Sequence, residues 1–219
     1  MSGIFAPEVG AAAAAVIVVA VTWLSFDGYR RKGVRNWEQV ADKFEGSFSM
    51  DGPGGRWKIK GRFQDRPAFL IEDVSHEEAA AYHHTRGSLN ISNPAHLIVG
   101  LRHKSMLEEV ITRKDEAIVV VGVPDFDRQF FMVSNLPADF PSIFTIEIQN
   151  SLKQFSDVEI YVRSTSIEWR RAGRLKSAAD IIRLFETISI MADQIAIMNT
   201  RDLDAAQRMA ESEIITKSI

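Results

Sequence analysis

The chain begins with a continuous hydrophobic pattern: residues 9–26 are eighteen residues without a charge, and a basic cluster follows. A helix of that length reaches roughly 27 Å, close to the hydrocarbon thickness of a bilayer. The pattern therefore predicts a transmembrane helix within residues 1–32. Two alternatives are a cleaved secretory signal and a buried helix of a water-soluble domain, since the run is rich in alanine.

The predicted span also indicates packing and orientation. Small residues let a second helix approach closely, and aromatic rings near the ends lie at headgroup level. The predicted anchor and packing residues are Gly10, Ala11, Ala14, Ala15, Trp23, Phe26 and Tyr29. The membrane-flanking basic residues are Arg30, Arg31, Lys32 and Arg35. Because basic flanks stay in the cytoplasm, we predict a single-pass inner (cell) membrane protein with its N-terminus outside and its long C-terminal part cytoplasmic.

Beyond this run, the apolar positions first repeat at the spacing of a helix and then alternate with polar positions as in a strand. Residues 33–45 have apolar positions three and four apart, which predicts a helix that packs on the domain or lies along the membrane surface. Residues 56–63 alternate strictly, which predicts a strand with one buried and one solvated face. The basic positions of the solvated face are Arg56, Lys58, Lys60 and Arg62.

The remaining elements follow from the same periods. Strands are predicted at 68–74, 86–91, 96–103, 118–123, 128–134, 158–164 and 166–171, with a hairpin turn at 124–127, and helices at 136–154 and 177–198. The predicted fold class is α+β, an N-terminal transmembrane helix followed by a mainly antiparallel sheet of roughly six to eight strands with two packed helices. The predicted regions are 1–32 (N-terminal segment and span), 33–199 (cytoplasmic α+β domain) and 200–219 (polar tail).

The composition of the chain excludes several classes of function and of chemical site. The 219 residues carry a net charge of −3, which argues against a nucleic-acid protein with a broad basic surface. The chain has no cysteine, so disulfides, thiol catalysis and zinc–thiolate sites are excluded. No phosphate-binding glycine loop or nucleophile elbow is present in the sequence.

Two groups of residues carry candidate chemistry. All five histidines fall within residues 76–103, where imidazole and carboxylate side chains suit zinc, iron or manganese, although the spacing matches no metal motif. A tight turn holds a pair of carboxylates that can bind a divalent cation or can accept hydrogen bonds from turn N–H groups. The metal candidates are His76, His83, His84, Asp125 and Asp127. Ordinary surface or partly buried side chains are the alternative for all of them.

The turn segment also carries a resemblance. Residues 122–130 read Gly-x-Pro-x-Phe-Asp-Arg-x-Phe, followed by Val133 and Ser134. This pattern resembles a segment of uncharacterised bacterial single-pass membrane-anchored proteins, in which the glycine is commonly followed by aspartate rather than by Val123. The resemblance implies an N-terminal span, a domain of mixed strands and a long late helix, and it implies no reaction.

Together these patterns predict a non-catalytic accessory or scaffold subunit of a membrane protein complex. Its expected partners are the lipid bilayer and other membrane subunits, with no nucleic acid, no small-molecule substrate and no cofactor. One alternative is a membrane-tethered metal-dependent enzyme that uses the His76–His103 window. The other is a sensor domain that binds anionic lipid or another ligand through the basic strand face.

Overall fold

The computed structural model describes residues 33–50, 56–77, 80–104, 117–137, 140–173 and 177–217. The α-helices are α1 (33–43), α2 (Pro124–Gln129), α3 (Ile146–Leu152) and α4 (Ala178–Lys217), and Phe140–Ile143 form a 3-10 turn. The first strands are β1 (Ser47–Met50), β2 (Trp57–Phe63), β3 (Arg66–Glu77), β4 (Ala80–Asn90) and β5 (Val99–His103). The others are β6 (Ala117–Ile118), β7 (Phe130–Ser134), β8 (Val158–Val162) and β9 (Ser166–Ala172).

The described strands form one nine-stranded sheet in the order β1-β2-β3-β4-β9-β8-β5-β7-β6. Each pairing in this sheet is antiparallel. Strands β1 to β4 follow one another as a meander, whereas β4 pairs with β9, which is distant along the chain. The β4–β9 pairing therefore joins an N-terminal half of the sheet to a C-terminal half.

One face of the sheet, here called the inner face, carries the hydrophobic core. Strand alternation aligns one inner residue from each of seven neighbouring strands, because successive side chains of a strand point to opposite faces. This cross-strand row is Ile59, Leu70, Gly87, Trp169, Ile160, Leu101 and Met132. Every member is buried, and buried residues of α1, α2, α3 and α4 belong to the same core.

An aromatic cluster around Phe185 of α4 joins the two halves of the sheet. The Phe185 ring lies 4.5 Å from that of Phe44, which follows α1, and 5.5 Å from that of Phe63 in β2. It also lies 5.6 Å from the ring of Trp169 in β9, edge-on. One side chain of α4 thus contacts the end of the first helix and both halves of the sheet.

Two glycines allow backbones and rings to approach closely at this core. A Cβ atom on Gly87 would lie 2.3 Å from Nε1 of Trp169, so the indole occupies the space that a side chain would need. A Cβ atom on Gly61 would lie 2.3 Å from the carbonyl oxygen of Phe44. The chain after α1 therefore crosses β2 in direct contact, and the N–H of Arg62 donates to that carbonyl at 2.6 Å.

The predicted fold class is wrong as stated. Among the described residues, none of the helices combines the length and the apolar character needed to cross a membrane. Charged residues such as Asp180, Arg183 and Glu186 recur along the 40 residues of α4. The predicted span and its anchor residues, from Gly10 to Lys32, lie outside the described residues. In the described part of the chain the sheet has nine strands rather than six to eight, and four α-helices rather than two contribute buried residues to its core.

The strand predicted at 118–123 pairs with β7 as expected, but its predicted extent and the hairpin turn at 124–127 are wrong, because β6 comprises only Ala117–Ile118 and a helix begins at Pro124. Strand pairing ends soon after β6, where the N–H of Val119 donates to the carbonyl of Met132 at 3.0 Å. The chain then turns at Gly122, whose φ is +87°, and Pro124 opens α2. Proline suits a first helical turn because its missing N–H needs no partner there.

The helix predicted at 136–154 is interrupted, and one strand was not predicted. Thr145 begins α3 as its N-cap, with its hydroxyl oxygen accepting from the N–H of Ile148 at 3.4 Å, so the 3-10 turn before it is separate. Strand β1 is short, and its pattern alone does not distinguish it from a loop. The strands predicted at 56–63, 158–164 and 166–171 are confirmed.

Replacing Phe185 by alanine tests the aromatic cluster. We expect Phe185→Ala to lower the free energy of unfolding by roughly 3–5 kcal/mol, the usual cost of removing a buried phenylalanine ring. Urea unfolding measures the change. Glu186→Ala, an exposed neighbour on the same helix, is the control and should change stability by less than about 0.5 kcal/mol. Equal effects of the two substitutions would contradict the joining role of Phe185.

Candidate functional site: the outer face of the sheet

The second face of the sheet, here called the outer face, carries a polar row. Its members stand directly opposite one another on successive strands and are Lys58, Ile71, Arg86, Arg170, Glu159, Arg102 and Phe131. Four of the seven are cationic and one is acidic. The helices that contribute to the core lie on the inner face, so the outer face presents this charge outward.

Five basic residues of the outer face, on strands β2, β4 and β9, form what we call the cation patch. They are Lys58, Lys60 and Arg62 of β2, Arg86 of β4 and Arg170 of β9. Lys58 is half-buried and the other four are exposed. The half-buried side chains of Phe69 and Ile71 in β3 lie opposite Lys60 and Lys58 in the register. Across the strands of the patch, cationic side chains of β2 and β4 therefore flank apolar side chains of β3.

The C-terminal half of the outer face holds a hydrogen-bonded network around Tyr161 of β8. Nε of Arg102 donates to the Tyr161 hydroxyl at 2.7 Å, and that hydroxyl lies 3.3 Å from Oε2 of Glu159. The guanidinium groups of Arg102 and Arg163 lie 5.4 and 5.9 Å from the centre of the tyrosine ring. Arg163 also forms an ion pair with Glu168, with 3.0 Å between Nε and Oε2. The carboxylates of this half therefore have arginine partners within it.

This network perturbs the acidity of the phenol. Burial raises the pKa of Tyr161 above its ordinary value of 10.0, and the negative charge of Glu159 raises it further. The positive charge of Arg102 acts in the opposite direction, but the pKa remains raised. Tyr161 is thus neutral near pH 7 and donates its proton within the network rather than losing it.

Sequence reasoning found only part of this face. Alternation in β2 indicated Lys58, Lys60 and Arg62, and the later basic residues Arg170 and Arg171 were also visible in the sequence. Arg171 points inward instead, where its Nε lies 2.8 and 2.9 Å from the carboxylate oxygens of Asp157. Arg86, Arg102 and Tyr161 were missed, since their charged neighbours on the outer face come from the pairings of β4 with β9 and of β8 with β5.

The histidines do not converge. His83 and His84 follow each other in β4 and lie on opposite faces, with Nδ1 of His83 3.4 Å from Oε1 of the buried Glu72. Nε2 of His84 lies 2.7 Å from Nη2 of Arg170. The ring of His103 meets Phe130 edge-on at 5.4 Å. His76 lies in β3 opposite Ala81. Within the part of the chain that the structure describes, no three His, Asp or Glu residues are grouped so as to hold a metal ion.

The two aspartates of the predicted turn have local structural partners. Asp127 accepts from the N–H of Val121 at 2.9 Å and from that of Gly122 at 3.0 Å, one bond on each carboxylate oxygen. Asp125 forms an exposed ion pair with Arg128 one turn further along α2. The carboxylate of Asp127 therefore holds the loop that ends β6. The basic residue Arg35, predicted to flank a membrane, is exposed on α1.

Asp127→Ala should cost about 1–3 kcal/mol of unfolding free energy, because two backbone N–H groups lose their acceptor. Asp125→Ala is the matched control and should cost less than about 1 kcal/mol, since its ion pair is exposed. Chemical denaturation compares the two variants. A metal role for the pair makes a different prediction: added divalent cations would stabilise the wild-type protein, and both substitutions would abolish that gain equally.

A pH titration tests the Tyr161 network. The stability contributed by the neutral phenol is fully present below pH 10.0, the ordinary pKa, and is lost as the pH rises through the higher pKa of the folded protein. We expect the phenolate absorbance of the wild type to include one group that ionises above that value and that is missing in Tyr161→Phe. Identical titrations of the two proteins would contradict the network.

Comparisons with known proteins show a fold and no family. No family model matches the chain, and no curated protein matches it. Among solved structures, the crystal structure of the mycobacterial trehalose monomycolate transport factor A, TtfA, is similar at a TM-score of 0.50 and 12% sequence identity. The match covers 74% of this chain and 93% of that one. At this identity the likeness concerns the fold.

Proposed function

We propose that this chain is a non-catalytic accessory subunit of a membrane transport assembly. The observation that carries the proposal is the fold shared with a transport factor over 93% of that protein's length. The likeness extends over most of the domain rather than over one motif, which is why we extend the transport role of that protein to this one. Because shared folds host different functions, the role needs a direct test.

The contacts of the candidate chemical groups support a non-catalytic role. The carboxylate of Asp127 accepts hydrogen bonds from two backbone N–H groups, and that of Asp125 forms an ion pair with Arg128. Glu72 lies beside His83. Catalytic acids and bases are instead open toward a substrate. Within the described part of the chain, no group of His, Asp and Glu residues supports the metal-dependent enzyme considered from the sequence.

A contact surface for other subunits is available at the β6 edge of the sheet. The strand β6 ends the strand order, and its Ile118 is 63% exposed, followed by Val120 at 66%. An open strand edge with apolar side chains is a common site for a partner chain. We propose that transport subunits bind here and that the domain works at the cytoplasmic side of the inner membrane, where the absence of cysteine suits the reducing medium.

Co-purification at native expression level tests this function. The tagged full-length protein is extracted from its native membranes in mild detergent and its partners are quantified by mass spectrometry. We expect a stoichiometric set of membrane transport subunits. Ile118→Lys with Val120→Lys should reduce their recovery at least about tenfold, because two apolar contacts are lost.

Ile146→Lys is the matched control, since Ile146 is 75% exposed on α3. It should leave recovery unchanged, and the thermal midpoints of all three proteins should agree. Recovery of the protein alone would contradict the accessory role. Equal recovery of transport subunits with all three proteins would support the role and contradict the β6 contact.

A further inference from the structure

We propose that the cation patch docks onto the surface of an anionic lipid bilayer. The proposal goes beyond the accessory role and rests on the outer face alone. The overall charge of the protein would not attract it to an anionic surface, because the chain as a whole carries a net charge of −3. The positive charge that meets the lipid is therefore local to strands β2, β4 and β9 of one face of the sheet.

The size of the patch suits collective binding. From β2 to β9 the sheet crosses three strand spacings, about 14 Å, and from Lys58 to Arg62 the strand rises about 13 Å. These dimensions are comparable with a Debye length of about 8–10 Å at physiological salt, so neighbouring cations act together on one charged surface. Each Lys or Arg held near an anionic membrane strengthens binding about fivefold.

The two lysines of the cation patch have no carboxylate partner among the described residues. Lys58 and Lys60 form no ion pair with any described residue, taking 4.0 Å between nitrogen and oxygen as the limit. On the same face, Glu159 and Glu168 lie beside Arg102 and Arg163, at 4.0 and 3.0 Å. The carboxylates of Glu159 and Glu168 thus lie beside arginines that are not members of the cation patch.

The position of the patch favours a lipid surface over a peptide. Strands β2, β4 and β9 are each paired on both sides, so a peptide cannot add to them as a further strand. Between the cations, Phe69 and Ile71 are half-buried and offer apolar contact, as in basic surfaces that bind at the headgroup level. A polyanion such as nucleic acid would also attract the cations, and the experiment separates the two.

Vesicle co-sedimentation of the full-length protein tests the proposal. The probes are vesicles of equimolar phosphatidylcholine and phosphatidylglycerol, and vesicles of phosphatidylcholine alone, each at low and high salt. We expect salt-sensitive binding to the anionic vesicles. Lys58→Gln with Lys60→Gln should weaken it about 30-fold, as the loss of two cations near the surface implies.

Lys43→Gln with Lys153→Gln is the matched control, because Lys43 ends α1 and Lys153 follows α3, two helices of the inner face, and the net charge changes equally. It should bind as the wild type does. Both double variants retain the apolar N-terminal run, so any binding through that run appears equally in all proteins and on neutral vesicles. Equal binding of the two double variants, no preference for anionic vesicles, or tighter binding to duplex DNA than to vesicles would each overturn the proposal.

Discussion

The contact between Phe185 and its aromatic neighbours is the interaction on which the rest of the structure depends. Long α4 reaches the end of α1 and both halves of the sheet through this one ring. Arg66 adds a polar contact at the β2–β3 turn, where its Nη1 donates to Ser189 of α4 at 2.9 Å. With the inner face occupied in this way, most charged residues of the same strands lie on the outer face. The inward-facing Glu72 and Arg171 each lie beside an ionisable partner, His83 and Asp157 respectively.

Strict alternation made some elements readable from the sequence. In β2, β8 and β9 a single buried face imposes a period of two, and the exposed basic residues of β2 could be assigned correctly before the fold was known. Residues 118–129 were misjudged for a local reason. The carboxylate of Asp127 takes the N–H groups of Val121 and Gly122, which a continuing strand would need for its ladder.

The candidate site was harder to predict than its elements because it depends on pairing between distant segments. Arg86 and Arg170 stand opposite each other only because β4 pairs with β9. Nothing in the hydrophobic period of either strand identifies its partner. Sequence reasoning therefore indicated a basic strand but not a basic surface. It did not find Tyr161, whose role depends on Arg102 of the neighbouring strand β5 and on Glu159 of its own strand.

The same β4–β9 pairing has a consequence for synthesis. When β4 leaves the ribosome, the rest of its own meander is complete, but the strand that covers its other side is the last of the nine to be made. At elongation rates of about 5–20 residues per second, one edge of β4 then remains unpaired for roughly 4–15 s. During this interval the nascent chain exposes a long, hydrogen-bonding strand to its neighbours on the polysome. A chain that stops short of β9 keeps that edge permanently, so truncation is a route to aggregation rather than to a smaller domain.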